Sequence, residues 1–189
     1  VLKQVEMIST NNKLSNYFAT IGYLINQGRI KIGKELKVVV PKDGTITVKT
    51  SANKIEERTL PSPETKVLYI DFGAIYPLYQ STVRDALTKT SLQSYFNSNK
   101  AFLGLCKSTL FKWYEEVSTP LRQGVDEEDR QRIFPSHELR TITKNTSAYM
   151  FNYDILKELM DIDFEMEETV QNNKKEQEQE QEEAYTLPF

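Results

Sequence analysis

The sequence predicts an α+β fold in which amphipathic helices are interleaved with β-rich runs. Three observations carry the prediction. Apolar residues recur at three- and four-residue spacing over 13–29 and again between 75 and 97. Runs of β-branched and aromatic residues, bounded by Pro, Gly and Asp, fill much of the remainder. From Val170 onward the composition narrows to Gln, Glu and Lys, which predicts a disordered acidic tail rather than a packed element.

Residues 13–29 are the first predicted helix. Asn11 and Asn12 are its candidate caps, Leu14, Tyr17, Phe18, Ile21, Leu24 and Ile25 its apolar face, and Gly28 its stop. Residues 35–40 (ELKVVV) and 45–50 (TITVKT) are predicted to pair as a β-hairpin, because Asp43-Gly44 between them is a turn signal. Residues 53–65, with Pro61 and Pro63, read as a connector, and 67–72 (VLYIDF) as a buried strand. A helix follows over 75–87, with Pro77 tolerated in its first turn. After a turn at 88–90 comes a short helix, 92–97, capped by Thr90 or Ser91, with Leu92, Tyr95 and Phe96 on one face. Residues 102–113 (FLGLCKSTLFKW) read as one long strand or a strand pair, 115–140 as a long polar loop, and 147–153 (SAYMFNY) as a strand. A terminal helix begins at 155–160. The expected division is an N-terminal subdomain at 1–65, a second unit at 66–165 and the tail at 166–189.

Charge is unevenly placed. The formal net charge of −3 hides a tail of −8 over 161–189 and a body of +5 over 1–160. A mildly basic body is compatible with nucleic acid as a partner. No apolar run approaches the ~18 residues of a membrane helix, and no signal-peptide pattern opens the chain. No membrane partner is expected. The single cysteine, Cys106, excludes an internal disulfide and fits a reducing cytoplasm. Val1 rather than Met opens the chain, so a fragment of a longer protein is the expectation.

Nothing reads as an active site, a metal centre or a cofactor site. Asp71-Phe72-Gly73 spells a kinase metal-binding motif, but no glycine-rich loop, strand lysine or HRD accompanies it. It reads as a strand end before a turn. The acidic run at 126–129 lacks EF-hand spacing and reads as a solvated loop. Cys106 sits among apolar residues and reads as a core thiol, and the lone His137 receives no role.

From 75 to 153 the order is helix, tight turn, short capped helix, strand, long loop, strand. That is the order of a winged helix-turn-helix with an expanded wing, so the predicted fold is winged-helix-like with β-hairpin wings. The 35–50 hairpin, with Lys31, Lys34, Lys37, Lys42 and Lys49, is the second candidate wing, or a sheet edge kept soluble by lysine. In such a fold the second helix presents its polar face to DNA. Gln93, Ser94, Asn97 and Ser98 fall on that face, and Lys89, Thr90 and Lys100 lie near its ends for phosphate contacts. Lys107 and Lys112 alternate with apolar residues on the wing strand, with Trp113 and Tyr114 expected at its tip. Arg122, Arg130, Arg132, Arg140 and Lys144 add charge in or beside the long loop. Tyr95, Phe96, Trp113 and Tyr114 are candidates for stacking on single-stranded bases, the first two being read primarily as core.

The chain ends in Gln181-Glu182-Glu183-Ala184-Tyr185-Thr186-Leu187-Pro188-Phe189. This resembles the acidic tail of bacterial single-stranded-DNA-binding proteins, although Tyr185-Thr186 stands where that family has acids. The resemblance implies that Leu187, Pro188 and Phe189 anchor a replication protein while Glu182 and Glu183 meet its basic rim. Leu78-Tyr79, the stretch 91–96 (SLQSYF), 101–104 (AFLG), 107–111 (KSTLF) and 146–151 (TSAYMF) look like the C-terminal winged-helix regions of phage and mobile-element primase-helicases. That likeness implies a DNA-binding accessory region of a replication protein, with duplex, forked or single-stranded DNA as partner and the catalytic machinery elsewhere. Two other readings stay open: a single-stranded-DNA-binding protein with an atypical body, and a non-enzymatic adaptor or phage structural protein.

Overall fold

The computed structural model describes residues 2–118 and 137–164. Helix α1 (Leu2–Asn26) is followed by β1 (Leu36–Val39), β2 (Thr45–Lys49), β3 (Ile55–Thr59) and β4 (Val67–Ile70). Helices α2 (Phe72–Thr82) and α3 (Lys89–Ser98) lead into β5 (Phe102–Ser118), β6 (His137–Asn152) and the short α4 (Tyr153–Met160). The six strands form one antiparallel sheet in the order β1-β4-β6-β5-β2-β3.

The periodic helices are where the apolar spacing puts them, with shifted ends. Leu14, Tyr17, Phe18, Ile21, Leu24 and Ile25 of α1 are all buried. Asn11 and Asn12 do not cap it; they lie inside a helix that begins at Leu2, because 2–10 contains no Gly or Pro to stop it. Its C-terminus is closed as expected near Gly28, whose φ of +71° lets Gly28 N–H and Arg29 N–H reach the Ile25 and Leu24 carbonyls at 2.9 Å each. Helix α2 starts three residues earlier than predicted, because Asp71 caps it by accepting from Ala74 N–H at 3.2 Å. Helix α3 is capped by Thr88, ahead of Thr90 and Ser91, through Ser91 N–H at 3.2 Å.

The predicted hairpin is corrected. β1 does not pair with β2; it pairs with β4, Leu36 facing Ile70 and Val39 facing Val67. β2 turns back instead on β3, which lies within the predicted connector. A 3₁₀ turn at Lys42–Gly44, with Asp43 at φ +61° and Gly44 at φ +63°, carries the chain from one pairing to the other. The reason is burial. Leu36 belongs to the helix-covered core, while Ile46 and Val48 pack with Val67, Cys106 and Met150 on the other side of the sheet. β3 escaped prediction because all five of its residues are exposed and carry no apolar alternation. Strands from both sides of residue 65 thus share one sheet, and α1 shares its core with α2, α3 and α4.

Phe96 of α3 is the hub of that core. Its ring meets Tyr17, Phe18, Phe72, Phe102, Tyr149 and Phe151 at centroid distances of 5.2–6.5 Å. Among these rings Tyr17 is fully buried, and its hydroxyl finds no hydrogen-bond partner among the described residues. Burial pushes that phenol far above the usual range. A buried hydroxyl without a partner is a net cost. Tyr17→Phe is therefore expected to raise the unfolding free energy by about 1 kcal/mol. Urea denaturation of the two proteins measures it; a lower midpoint for the variant would show that the hydroxyl is satisfied in solution.

Candidate nucleic-acid interface

β5 and β6 pair from Phe102 opposite Phe151 to Ser118 opposite His137. Register shifts at 102–104 and 106–109 bend the pair, and past the second shift no other strand among the described residues flanks it. The distal part is a two-stranded ribbon. Trp113 and Tyr114 therefore lie in mid-strand and not at a tip, and 115–118 and 137–140 are strand where a loop was expected.

Directly opposed residues share a face. The inner face carries Phe111 opposite Lys144, Trp113 opposite Ile142 and Glu115 opposite Arg140. The turn before β1 closes it. Lys34 Nζ donates to Glu115 Oε1 at 3.3 Å, and Trp113 Nε1 donates to the same oxygen at 2.9 Å. Led by the Trp113 bond, these contacts hold the Glu115 carboxyl below its usual range. Lys37 Nζ donates to Thr109 Oγ1 at 2.8 Å and to the Leu110 carbonyl at 2.6 Å, within 5.0 and 5.1 Å of the Tyr69 and Phe111 ring centres. Burial draws its ammonium below the usual lysine range. Lys144 Nζ donates to Asp71 Oδ2 at 2.9 Å. Asp71 is only 4 % exposed, so this lysine serves a buried carboxylate that also caps α2. Lys144, expected to contact DNA, and Lys34 and Lys37, expected on a second wing or a lysine-solubilised edge, are thus engaged within the fold. Cys106 is buried as a core thiol, its Sγ donating to the Ser108 carbonyl at 3.3 Å.

The outer face looks the other way, toward the side on which Tyr149 and Phe151 meet the helices. It carries Leu110 opposite Asn145, Lys112 opposite Thr143, Tyr114 opposite Thr141, and Glu116 opposite Leu139. Lys107 and Ser108, the two bulge residues, are exposed beside Ser147. Lys112 is exposed, and Leu110, Tyr114 and Leu139 are 49 %, 47 % and 64 % exposed.

α3 lies on this same side. Burial pushes the Tyr149 hydroxyl above its usual range, and the Gln93 side chain opposes that push. Thr90, Ser94 and Asn97 are exposed, as are Lys89 and Lys100 at the two ends. Lys89 lies 5.2 Å over the Tyr76 ring. Lys13 of α1 donates to the Tyr95 hydroxyl at 3.0 Å. From 89 to 100 there is no acidic residue. Of the four candidate stacking aromatics, Phe96 and Trp113 are buried and Tyr95 is partly covered, while Tyr114 is half exposed. Arg140 is exposed, on the inner face of the ribbon.

The fold thus sorts the cations by face. Leu110, Leu139, Thr141, Thr143 and Asn145 join the outer surface without having been singled out from sequence. The alternation through 139–145 (LRTITKN) was the available signal. Arg122, Arg130, Arg132, the acids at 126–129, and Glu182, Glu183, Leu187, Pro188 and Phe189 lie outside the described residues. Among the described residues no group of three His, Cys, Asp or Glu is arranged to hold a metal ion, and no helix is long and apolar enough to cross a membrane. No family model matches the chain, and no curated protein or solved structure is significantly similar to it.

Proposed function

We propose that this chain binds nucleic acid, as a DNA-binding accessory region of a replication protein. The observation that supports the reading best is the outer ribbon face. There Lys107 and Lys112 stand on the same side as the acid-free α3, whereas the inner-face lysines are held by Glu115, Asp71 and a backbone carbonyl. Lys89, Thr90, Ser94, Asn97 and Lys100 extend the surface with cations and neutral hydrogen-bonding groups, the mixture that phosphates and sugars accept. The order α2, α3, β5, β6 supports a winged-helix-like arrangement with the ribbon as its wing. The likeness of the tail to that of single-stranded-DNA-binding proteins supports recruitment of a replication partner through Leu187, Pro188 and Phe189.

Fluorescence anisotropy of the full chain with labelled single-stranded, duplex and forked DNA tests the reading. Binding is expected to weaken steeply with salt, and Lys107→Glu with Lys112→Glu to weaken it by about tenfold or more. No binding to any of the three at low salt overturns it. Leu110 and Leu139, exposed on the same face, favour a second reading as a protein adaptor, which predicts no salt-dependent DNA binding at all.

A further inference from the structure

We infer that the ligand of the outer ribbon face is a single strand, with Tyr114 stacking on a base and Lys112 holding an adjoining phosphate; the inference rests on the nucleic-acid reading above. A duplex turns its phosphates and base edges outward and keeps its base faces stacked inside. A surface built for it needs cations and donors, and large apolar groups facing phosphate are a mismatch. The outer face of the ribbon has the other composition. It sets three large apolar or aromatic side chains, Leu110, Tyr114 and Leu139, against two cations, Lys107 and Lys112. A single strand offers unstacked base faces that match the apolar groups, and a backbone that matches the cations.

The geometry is graded along the ribbon. From Ser147 to Leu139 the face spans about 27 Å at the rise of a strand. Its cationic part ends where Glu116 stands opposite Leu139, a rung that repels phosphate. Lys112 and Tyr114 are successive outer residues of one strand, so a phosphate on the first and a base on the second belong to neighbouring nucleotides. Thr143 and Thr141 stand directly opposite them. The ribbon is already paired, so little ordering remains to be done on binding.

The test uses the full chain with a labelled oligothymidylate and a labelled duplex of the same length. The oligothymidylate is expected to bind more tightly. Tyr114→Ala should weaken that binding by about five- to a hundredfold. Tyr114→Phe, which keeps the π face, should retain it. Lys112→Ala should lower the slope of log affinity against log salt by about 0.7, the value for one phosphate of a single strand. Each variant is checked for an unchanged thermal midpoint. Tighter binding of the duplex, or a Tyr114→Ala variant that binds oligothymidylate as the parent does, overturns this inference while leaving nucleic-acid binding intact. Failure of both probes to bind at low salt overturns the broader reading with it.

Discussion

Phe96→Ala is expected to cost about 3–5 kcal/mol. Phe96 is fully buried, and its six ring neighbours come from α1, α2, β5 and β6. Removing it opens a cavity where the helical layer meets the sheet, and rigid rings on every side collapse poorly into the space. A domain has about 5–15 kcal/mol in total, so the variant should lose a large share of its stability. Phe96→Leu keeps most of the volume and should cost under about 1.5 kcal/mol. Chemical denaturation followed by circular dichroism measures both. Equal costs for Ala and Leu would show that the ring cluster is loosely packed and that α3 is not the hub described.

Gly33→Ala is expected to be strongly destabilising as well. Gly33 has φ +96°, and an added Cβ would lie 2.6 Å from the Lys112 carbonyl oxygen, a backbone atom that cannot swing aside. The conformation alone costs a non-glycine residue about 1–3 kcal/mol, and the clash adds to it. Gly28→Ala is the matched control. It has φ +71° with nothing within 4 Å of its added Cβ, so it reports the conformational cost alone. The excess of Gly33→Ala over Gly28→Ala measures how firmly the turn before β1 holds the ribbon. Trp113, the single tryptophan, packs beside Lys34 in that contact, and its emission should shift to the red in Gly33→Ala only. Equal costs for the two alanines, with unchanged emission, would mean that the ribbon is not held there.

The helices were legible because their signal is local. Leu14 to Ile25 repeat at helical spacing and are buried at that spacing, and Leu92 with Phe96 do the same on α3. The long β5–β6 pairing was half legible. The strand through 102–113 was read, but its partner before residue 147 was lost. On the ribbon, one face is wet, the apolar alternation thins to Leu139 and Ile142, and polar composition mimics a loop. The Asp43-Gly44 turn was identified correctly as a backbone feature, since both residues adopt positive φ. It joins β1 to β2 without pairing them, because a turn does not name the partners of the strands it joins.

By itself the sequence determined the α+β character, the helix faces, the buried thiol and the basic content of the region from Lys89 to Lys144. Tertiary structure alone decided which strands pair and which lysines face solvent. Lys34 meets Glu115 across 81 residues, and Lys37 meets the Leu110 carbonyl across 73. Lys144 meets Asp71 across 73 as well. Helical spacing follows from bonds a few residues apart and is written in composition. A strand partner, or a buried carboxylate that claims a lysine, is supplied by remote chain, and only burial of the shared core selects it.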